Sequence, residues 1–184
     1  MIEERNAQVS GYGGIAKSLH WLIVALIIAQ FGIAWIMPGT RPGSQPETLT
    51  NLHLSIGVTI ITIALLRLLW RVAHPVPLIT DNVPAWQDWT ARATHVLLYL
   101  LLFVVPLLGW ADASSRGWSI SLFGLGRIPP LLPIDSSWTD LLGNLHSFFA
   151  YSLLAIAGLH LAAALYHHFW LRDRVLTRML PGGN

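Results

Sequence analysis

The sequence contains no cysteine and few charged residues. Of its 184 residues, 11% are Asp, Glu, Lys or Arg and 54% are hydrophobic, and the mean hydropathy is +0.56. Because soluble domains carry about 25% charged residues, this composition indicates an integral membrane protein, small enough for one domain. Without cysteine, neither a disulfide framework nor a thiolate metal or iron–sulfur site is available. Eight histidines and three methionines are the soft or borderline metal ligands that remain.

One apolar run near the end of the chain carries an unusual set of histidines. Residues 145–170 include no Asp, Glu, Lys or Arg, but they include His146, His160, His167 and His168. A helix of this length rises roughly 39 Å, enough to cross a hydrocarbon core of about 30 Å. His146 and His160 lie about 3.9 turns apart, so their rings share one face, separated by ~21 Å along the axis. Polar groups at this depth usually face a bundle interior and have partners.

Three earlier apolar runs complete a set of four predicted spanning helices, at about residues 16–37, 51–72, 90–111 and 138–170. We therefore predict an all-α integral membrane four-helix bundle with up-down-up-down topology, forming a single domain over residues 1–184. Eight Lys and Arg residues lie near the helix ends on the side of the termini and three lie on the other side, so the positive-inside rule predicts cytoplasmic N and C termini. The eight are Arg5, Lys17, Arg67, Arg71, Arg92, Arg172, Arg174 and Arg178, and the three are Arg41, Arg116 and Arg127.

The helix positions place five intramembrane histidines at two depths. His53 and His146 both lie near the outer ends of their helices. His20, His95 and His160 lie roughly 24 to 26 Å below the outer end of theirs. A b-type haem that only transfers electrons takes two axial imidazoles from opposing helices, and the core of a helix bundle is a usual place for such a cofactor. His53 and His146 form the outer pair, whereas His160 can pair with either His20 or His95, and depth does not decide between them.

Short motifs surround these histidines on all four predicted helices and in the loop between helices three and four. They are Ala16–Trp21, Asn51–His53 with Gly57, His95–Tyr99 with Pro106 and Gly109, Phe123–Leu125, Ile128–Pro129, and His146 with Gly158–His168. These motifs resemble the bacterial cytochrome b561 family, four-helix di-haem proteins related to the cytochrome b subunits of hydrogenases and formate dehydrogenases. The resemblance implies two haem b groups, one held by His20 and His160 on the inner side and the other by His53 and His146 on the outer side. His95 is then expected beside a haem or at a quinone site.

The resemblance also implies a function in the bacterial inner membrane, as a multi-pass electron carrier that exchanges electrons with ubiquinone. One activity of the family is oxidation of superoxide at the outer face with reduction of ubiquinone. Membrane lipid, quinone, and superoxide or a redox partner protein are the expected partners, with no nucleic acid among them. His95, His167 and Arg92 are candidates for the quinone site, and Arg67 for a haem propionate. The outward-facing arginines, Arg41, Arg116 and Arg127, could attract a small anion.

Two other functions compete with a stand-alone oxidoreductase. The first is an integral cytochrome b subunit that serves a hydrogenase or dehydrogenase, with the same haems and an added docking surface. The second is a non-redox metal or proton transporter lined by histidines. A transporter predicts intramembrane carboxylates as proton relays, and no Asp or Glu lies within the core of a predicted helix.

Overall fold

The computed structural model describes residues 12–39, 45–75, 84–135 and 137–182. Four long helices, each long and apolar enough to cross a membrane, make up most of this part of the chain. The helix suits lipid because it satisfies the backbone N–H and C=O groups within one segment. The prediction of an all-α four-helix membrane protein is thus confirmed. The helices are α1 (Gly14–Ile36), α2 (Thr48–Ala73), α3 (Ala85–Ser115) and α4 (Thr139–Tyr166), and α4 continues into a π-helical turn (His167–Leu171) and a 3₁₀ turn (Thr177–Met179).

Consecutive helices run antiparallel and pack side by side, α1 on α2, α2 on α3 and α3 on α4. A contact between α1 and α2 shows their opposite directions, since the side chain of Gln30, late in α1, reaches the backbone of His53, early in α2. Over the described residues, α1 and α4 pack against each other far less than these three pairs do. The bundle is therefore a four-helix array that is least closed between its first and last helices. Its buried apolar core consists of Ile23, Ile56, Ile60, Ala64, Leu101, Leu102, Val105 and Leu153.

A short hairpin covers the end of the bundle at which α3 stops. Gly117, at a φ of 72°, ends α3. The N–H of Gly117 bonds to the carbonyl of Ser114, and the N–H of Trp118 bonds to that of Ala113, the pattern of a Schellman cap. Two antiparallel strands follow, β1 (Ile120–Ser121) and β2 (Arg127–Ile128).

The hairpin is held to α2 by one buried hydroxyl. Ser55, 1% exposed, accepts a hydrogen bond from the N–H of Phe123 at 3.1 Å, and its Oγ lies 3.0 Å from the carbonyl oxygen of Ser121. Ile120 of β1, 2% exposed, packs with Ala113 and Trp118 at the end of α3. The connection between helices three and four is therefore an ordered cover over one end of the bundle.

The helix ends differ from the predicted ones most clearly in α3, which begins at Ala85 instead of 90 and ends at Ser115 instead of 111. Pro84 occupies the position before the first turn, where a missing N–H costs nothing. An ion pair between Asp88 and Arg92 spans the first turns. The added turns are thus polar and extend beyond the apolar stretch that hydropathy detects. For the other helices, the observed and predicted ends differ by at most three residues. The observed ranges are 14–36 for α1, 48–73 for α2 and 139–171 for α4 with its π turn, and the predicted ones are 16–37, 51–72 and 138–170.

Candidate functional site

The two histidines predicted at the outer depth lie side by side in the folded chain. The ring centres of His53, on α2, and His146, on α4, are 6.1 Å apart and the ring planes are inclined at 78°. Both rings line the same cavity. We call this pair the outer layer, a name that follows the predicted orientation of the chain.

The hydrogen bonds of the outer layer orient the ring of His146 and leave Nδ1 of His53 without a partner in the described residues. His146 Nδ1 lies 2.9 Å from the carbonyl oxygen of Val105, so Nδ1 is the protonated nitrogen and Nε2 keeps its lone pair. His53 Nδ1 is buried and has no hydrogen-bond partner among the described residues. Fixing one ring nitrogen by a backbone carbonyl is the usual way in which a protein orients a histidine toward a metal. An outer layer of this kind can present an imidazole lone pair to a bound metal centre.

A cavity of about 200 Å³ adjoins the outer layer and runs between α1 and α4. Gln30 of α1 borders it and donates from Nε2 to the carbonyl of His53 at 3.0 Å, whereas Gln30 Oε1 is buried without a partner in the described parts of the chain. Gly57 and Pro106 both line this cavity and pack closely, since a Cβ on Gly57 would lie 3.8 Å from the Cβ of Pro106. An apolar slot with a few inward-facing polar atoms is the usual form of a cofactor site.

Three histidines meet at the other depth, as predicted. The ring centres of His95, on α3, and His160, on α4, are 5.3 Å apart at an interplanar angle of 69°. His20, on α1, is close enough to both for electrostatic interaction, and so is Arg67 of α2. We call His20, His95 and His160 the inner layer. The geometry brings all three together and so leaves open which of His20 and His95 is the partner of His160.

Arg67 lies within the bundle beside the inner layer. Its Nη1 donates to the hydroxyl of Tyr99 at 2.8 Å, and the guanidinium carbon lies 5.3 Å from the centre of that ring. Such a half-buried cation needs compensation in a membrane, and a neutral phenol supplies only part of it. The position fits the prediction that Arg67 faces an anionic group near the inner layer.

The remaining candidates lie toward the surface of the bundle. Arg92 is half exposed and pairs with Asp88 at 2.9 Å. His167 forms a short hydrogen bond through Nδ1 with a carboxylate oxygen of Asp173, across the π-helical turn that ends α4. Among the arginines predicted to face outward, Arg116 pairs with Asp112 at 3.0 Å, Arg127 is exposed on β2, and Arg41 lies outside the described residues.

Sequence reasoning missed three polar residues of these sites. Gln30 is a polar residue in an otherwise apolar helix, a signal that was available. Asp173 and Arg178 come after the last helix, in a tail whose charges predict only a cytoplasmic flanking segment. Their positions against the bundle depend on tertiary contacts that the sequence does not show. Trp21 Nε1 donates to the carbonyl of Met179 at 2.8 Å, which fixes that tail beside α1.

The donor set suits haem better than a bare metal ion. Within the described ranges, no group of three or more His, Cys, Asp and Glu side chains has the geometry to hold a metal ion, even in the inner layer. Imidazole is a common axial ligand of haem iron, which needs only two protein ligands. The unpartnered His53 Nδ1 and the space between α1 and α4 also fit a flat group bound at the edge of the array.

Comparison with known proteins identifies the family of the chain. The sequence profile described as prokaryotic cytochrome b561 matches residues 11–182. The chain belongs to the prokaryotic cytochrome b561 family. This membership confirms the resemblance found in the sequence, and it makes the chain a multi-pass electron-transfer protein of the bacterial inner membrane, of a family that carries haem b.

Three relatives match most of the chain. "Cytochrome b561 homolog 2" of Escherichia coli is 33% identical over 92% of this chain and 90% of its own length. "Probable superoxide oxidase CybB" of Yersinia pestis is 31% identical over 92% of this chain and 96% of its own. "Cytochrome b562" of Cereibacter sphaeroides is 26% identical over 94% and 97%. These matches cover both histidine layers.

Gly109 provides the first test of the site in this cytochrome b561 family member. A Cβ at this position would lie 3.0 Å from Cε1 and 3.1 Å from Nδ1 of His146, so Gly109→Ala should displace the ring and weaken its hydrogen bond to Val105. Overpacking of this kind costs about 1–3 kcal/mol, so we expect haem to dissociate roughly five- to a hundredfold faster. The measurement is transfer of haem from purified protein to an excess of a haem-scavenging globin, followed in the visible spectrum.

Gly158→Ala is the matched control, because Gly158 is also helical and a Cβ there meets nothing within 4 Å. A helical Gly→Ala change is stabilising by up to about 1 kcal/mol when space allows, so this variant should retain haem as well as the unmodified chain does. Equal haem loss from both variants, or from neither, would show that the close contact with His146 does not matter.

Proposed function

We propose that the chain is a di-haem electron carrier, with one haem b between His53 and His146 in the outer layer and another between His20 and His160 in the inner layer. The observation that carries the proposal is the outer pair. Two imidazoles that each bind a metal at about 2 Å have ring centres roughly 6 Å apart, close to the 6.1 Å between His53 and His146. Bound haem supplies one-electron redox chemistry at each layer.

The chain's own residues have separate tasks in this arrangement. The Val105 carbonyl holds the proton on His146 Nδ1 and so directs Nε2 toward the centre of the layer. In the inner layer, His20 and His160 lie on the two helices, α1 and α4, that leave a gap between them. Each would then reach the bound group from its own side of the slot. His95, on α3, would contact His160 from the side and orient it.

The histidine series tests this assignment. Each of His20→Ala, His53→Ala, His146→Ala and His160→Ala should reduce the haem content from two per chain to one, because a residue that would hold one haem is lost. His95→Ala should keep two. The measurement is a pyridine haemochrome assay against protein concentration, on protein expressed with added haem. If His20→Ala kept two haems and His95→Ala kept one, His95 and not His20 would be the partner of His160. If the unmodified chain bound fewer than two haems, one of the two layers would not be a haem site.

We propose that superoxide donates electrons at the outer layer. The name of the Yersinia pestis relative supports this donor, and so does the exposed Arg127 of the hairpin that covers this end. A cation near an entry site raises the encounter rate of a small anion, an effect that salt screens. We expect Arg127→Glu to slow haem reduction by superoxide several-fold at low ionic strength, and the difference should vanish at high salt.

Stopped-flow absorbance after mixing with superoxide measures this rate. Arg92→Glu is the matched control, because Arg92 is also exposed but lies at the start of α3, at the opposite end of the bundle. Equal slowing in the two variants would mean that overall charge, not local steering, sets the rate. A chain that superoxide does not reduce at all, while a small artificial reductant does, would favour the alternative of a subunit that takes electrons from a partner dehydrogenase.

We propose that ubiquinone accepts the electrons at the inner end, beside His167. Quinone reduction consumes protons, and the hydrogen bond from His167 Nδ1 to Asp173 gives that end of α4 an imidazole whose orientation is fixed by a carboxylate. The bond leaves His167 Nε2 to face a ligand. The π-helical turn at this point is a local irregularity of the kind often found at functional sites.

Asp173→Asn is expected to slow re-oxidation of the reduced haem by a short-chain ubiquinone by roughly ten- to a hundredfold, the range for a lost acid–base or orienting group. Haem reduction by dithionite and haem content should not change. The re-oxidation rate is followed by rapid-mixing absorbance. His168→Gln, at the neighbouring histidine, is the control and should behave like the unmodified chain; if it slows the reaction while Asp173→Asn does not, the proposed site is wrong.

A further inference from the structure

The C-terminal tail contains a buried cation. Arg178, in the 3₁₀ turn that follows α4, is only 6% exposed. Its Nε and Nη2 are buried and have no hydrogen-bond partner among the described residues. A guanidinium is charged at all ordinary pH values and carries five N–H donors. Leaving such a charge buried without an anion costs several kcal/mol, so the position is stable only if an anion is present when the protein is complete.

The surroundings of Arg178 connect it to the inner layer through two aromatic residues. Its guanidinium carbon lies 5.6 Å from the ring centre of Tyr12, and Tyr12 is within electrostatic range of Arg67. Met179, the next residue, accepts the indole N–H of Trp21. Trp21 directly follows His20, and the two rings are 5.7 Å apart. The tail is therefore fixed against the part of α1 that carries an inner-layer histidine.

The nature of the missing anion follows from its location. The two nitrogens are closed to solvent, so a dissolved anion is a poor partner, and the pairing group has to lie inside the assembled fold. Haem b brings two propionate carboxylates, and Arg–carboxylate pairs are strong, two-point hydrogen bonds. Arg67 is the residue already predicted for a propionate, and it lies in the same group of side chains.

We propose that Arg178 binds a propionate of the inner haem, so that the C-terminal tail forms part of that haem site. This inference depends on the proposed inner haem. The pairing holds the tail against α1 when haem is bound, and it places a positive charge next to the inner haem. Because a nearby cation stabilises the added electron, it raises the reduction potential of that haem.

The test compares native haem with its dimethyl ester, which has no propionate charge. Apoprotein in detergent is reconstituted with either group, and dissociation of haem to a scavenging globin is followed. With native haem, Arg178→Gln should release the inner haem roughly tenfold faster, the loss of one hydrogen bond to a charged group. With the ester, Arg178→Gln and the unmodified chain should release it at the same rate. Redox titration with native haem should show a lower potential for one haem of the variant.

Two further variants complete the experiment. Arg178→Lys keeps the charge but loses the two-point geometry, so its release rate should be intermediate. Arg174→Gln, an exposed arginine of the same tail, should behave like the unmodified chain. The same acceleration in Arg178→Gln with both haem forms would overturn the inference and assign the guanidinium to another anion, such as a lipid phosphate. Equal changes in release rate and reduction potential at both haems, or no change at either haem, would also overturn the inference.

If the unmodified chain binds only one haem, and the His20→Ala and His160→Ala variants still bind it, the proposed inner haem itself is wrong. That result differs from the case of two haems with an unaffected Arg178→Gln, which refutes the propionate contact alone.

Discussion

The cost of burying imidazole in a membrane is the constraint on which the arrangement of this chain depends. Burying an imidazole inside a bundle costs free energy for each ring nitrogen that has no hydrogen-bond or metal partner. His146 uses Nδ1 on the carbonyl of Val105, whereas the Nδ1 of His53 is buried and has no hydrogen-bond partner in the described residues. A bound group that takes nitrogen lone pairs relieves this cost, and membership of a haem-binding family identifies the group. In the proposed di-haem arrangement, the histidines are therefore stable in the membrane as parts of cofactor sites.

Helix α4 links the two sites because it contributes to both layers. His146 and His160 lie on one face, about four turns apart, and every other histidine of the layers comes from a different helix: α1, α2 or α3. Electrons that pass between the layers would therefore travel along α4 whichever histidine completes the inner pair. The remaining helices are free to differ in length and in their polar ends, and α3 does extend beyond the apolar stretch at both ends.

Hydropathy and residue spacing were sufficient to predict the features of this structure that depend on position along a single helix. The apolar runs gave four helices, and the rise per residue put His53 level with His146, and His95 level with His160, as the ring contacts show. Spacing along a single helix cannot report contacts that depend on the rotation of two helices relative to each other. Thus the close approach of Gly109 to His146 was not foreseen, and His20 and His95 could not be ranked.

Loops and the tail were the least predictable parts, because tertiary contacts decide their course. Nothing in the sequence marks Ser55 as the residue that holds the hairpin, since its hydroxyl could equally bond back to the preceding helical turn, as it does to Asn51. Arg178 belongs to a basic flank that satisfies the positive-inside rule by composition. Its burial follows from the bond between Trp21 and Met179, a contact between residues at opposite ends of the chain. Charges near a membrane protein's termini can thus serve both topology and a binding site.

The charges around the two layers are distributed unequally, and this bears on the direction of electron flow. Near the outer layer the charged neighbours of His146 are Asp112 and its partner Arg116, which largely cancel each other. Near the inner layer Arg67 has only the neutral Tyr99 as its hydrogen-bond partner. Because reduction adds negative charge to a site, cations beside that site favour the electron, and propionates, which both proposed haems carry, do not remove the excess of cations at the inner layer. In the proposed di-haem arrangement the electron is therefore more stable at the inner layer, which matches a donor outside and a quinone acceptor at the cytoplasmic end.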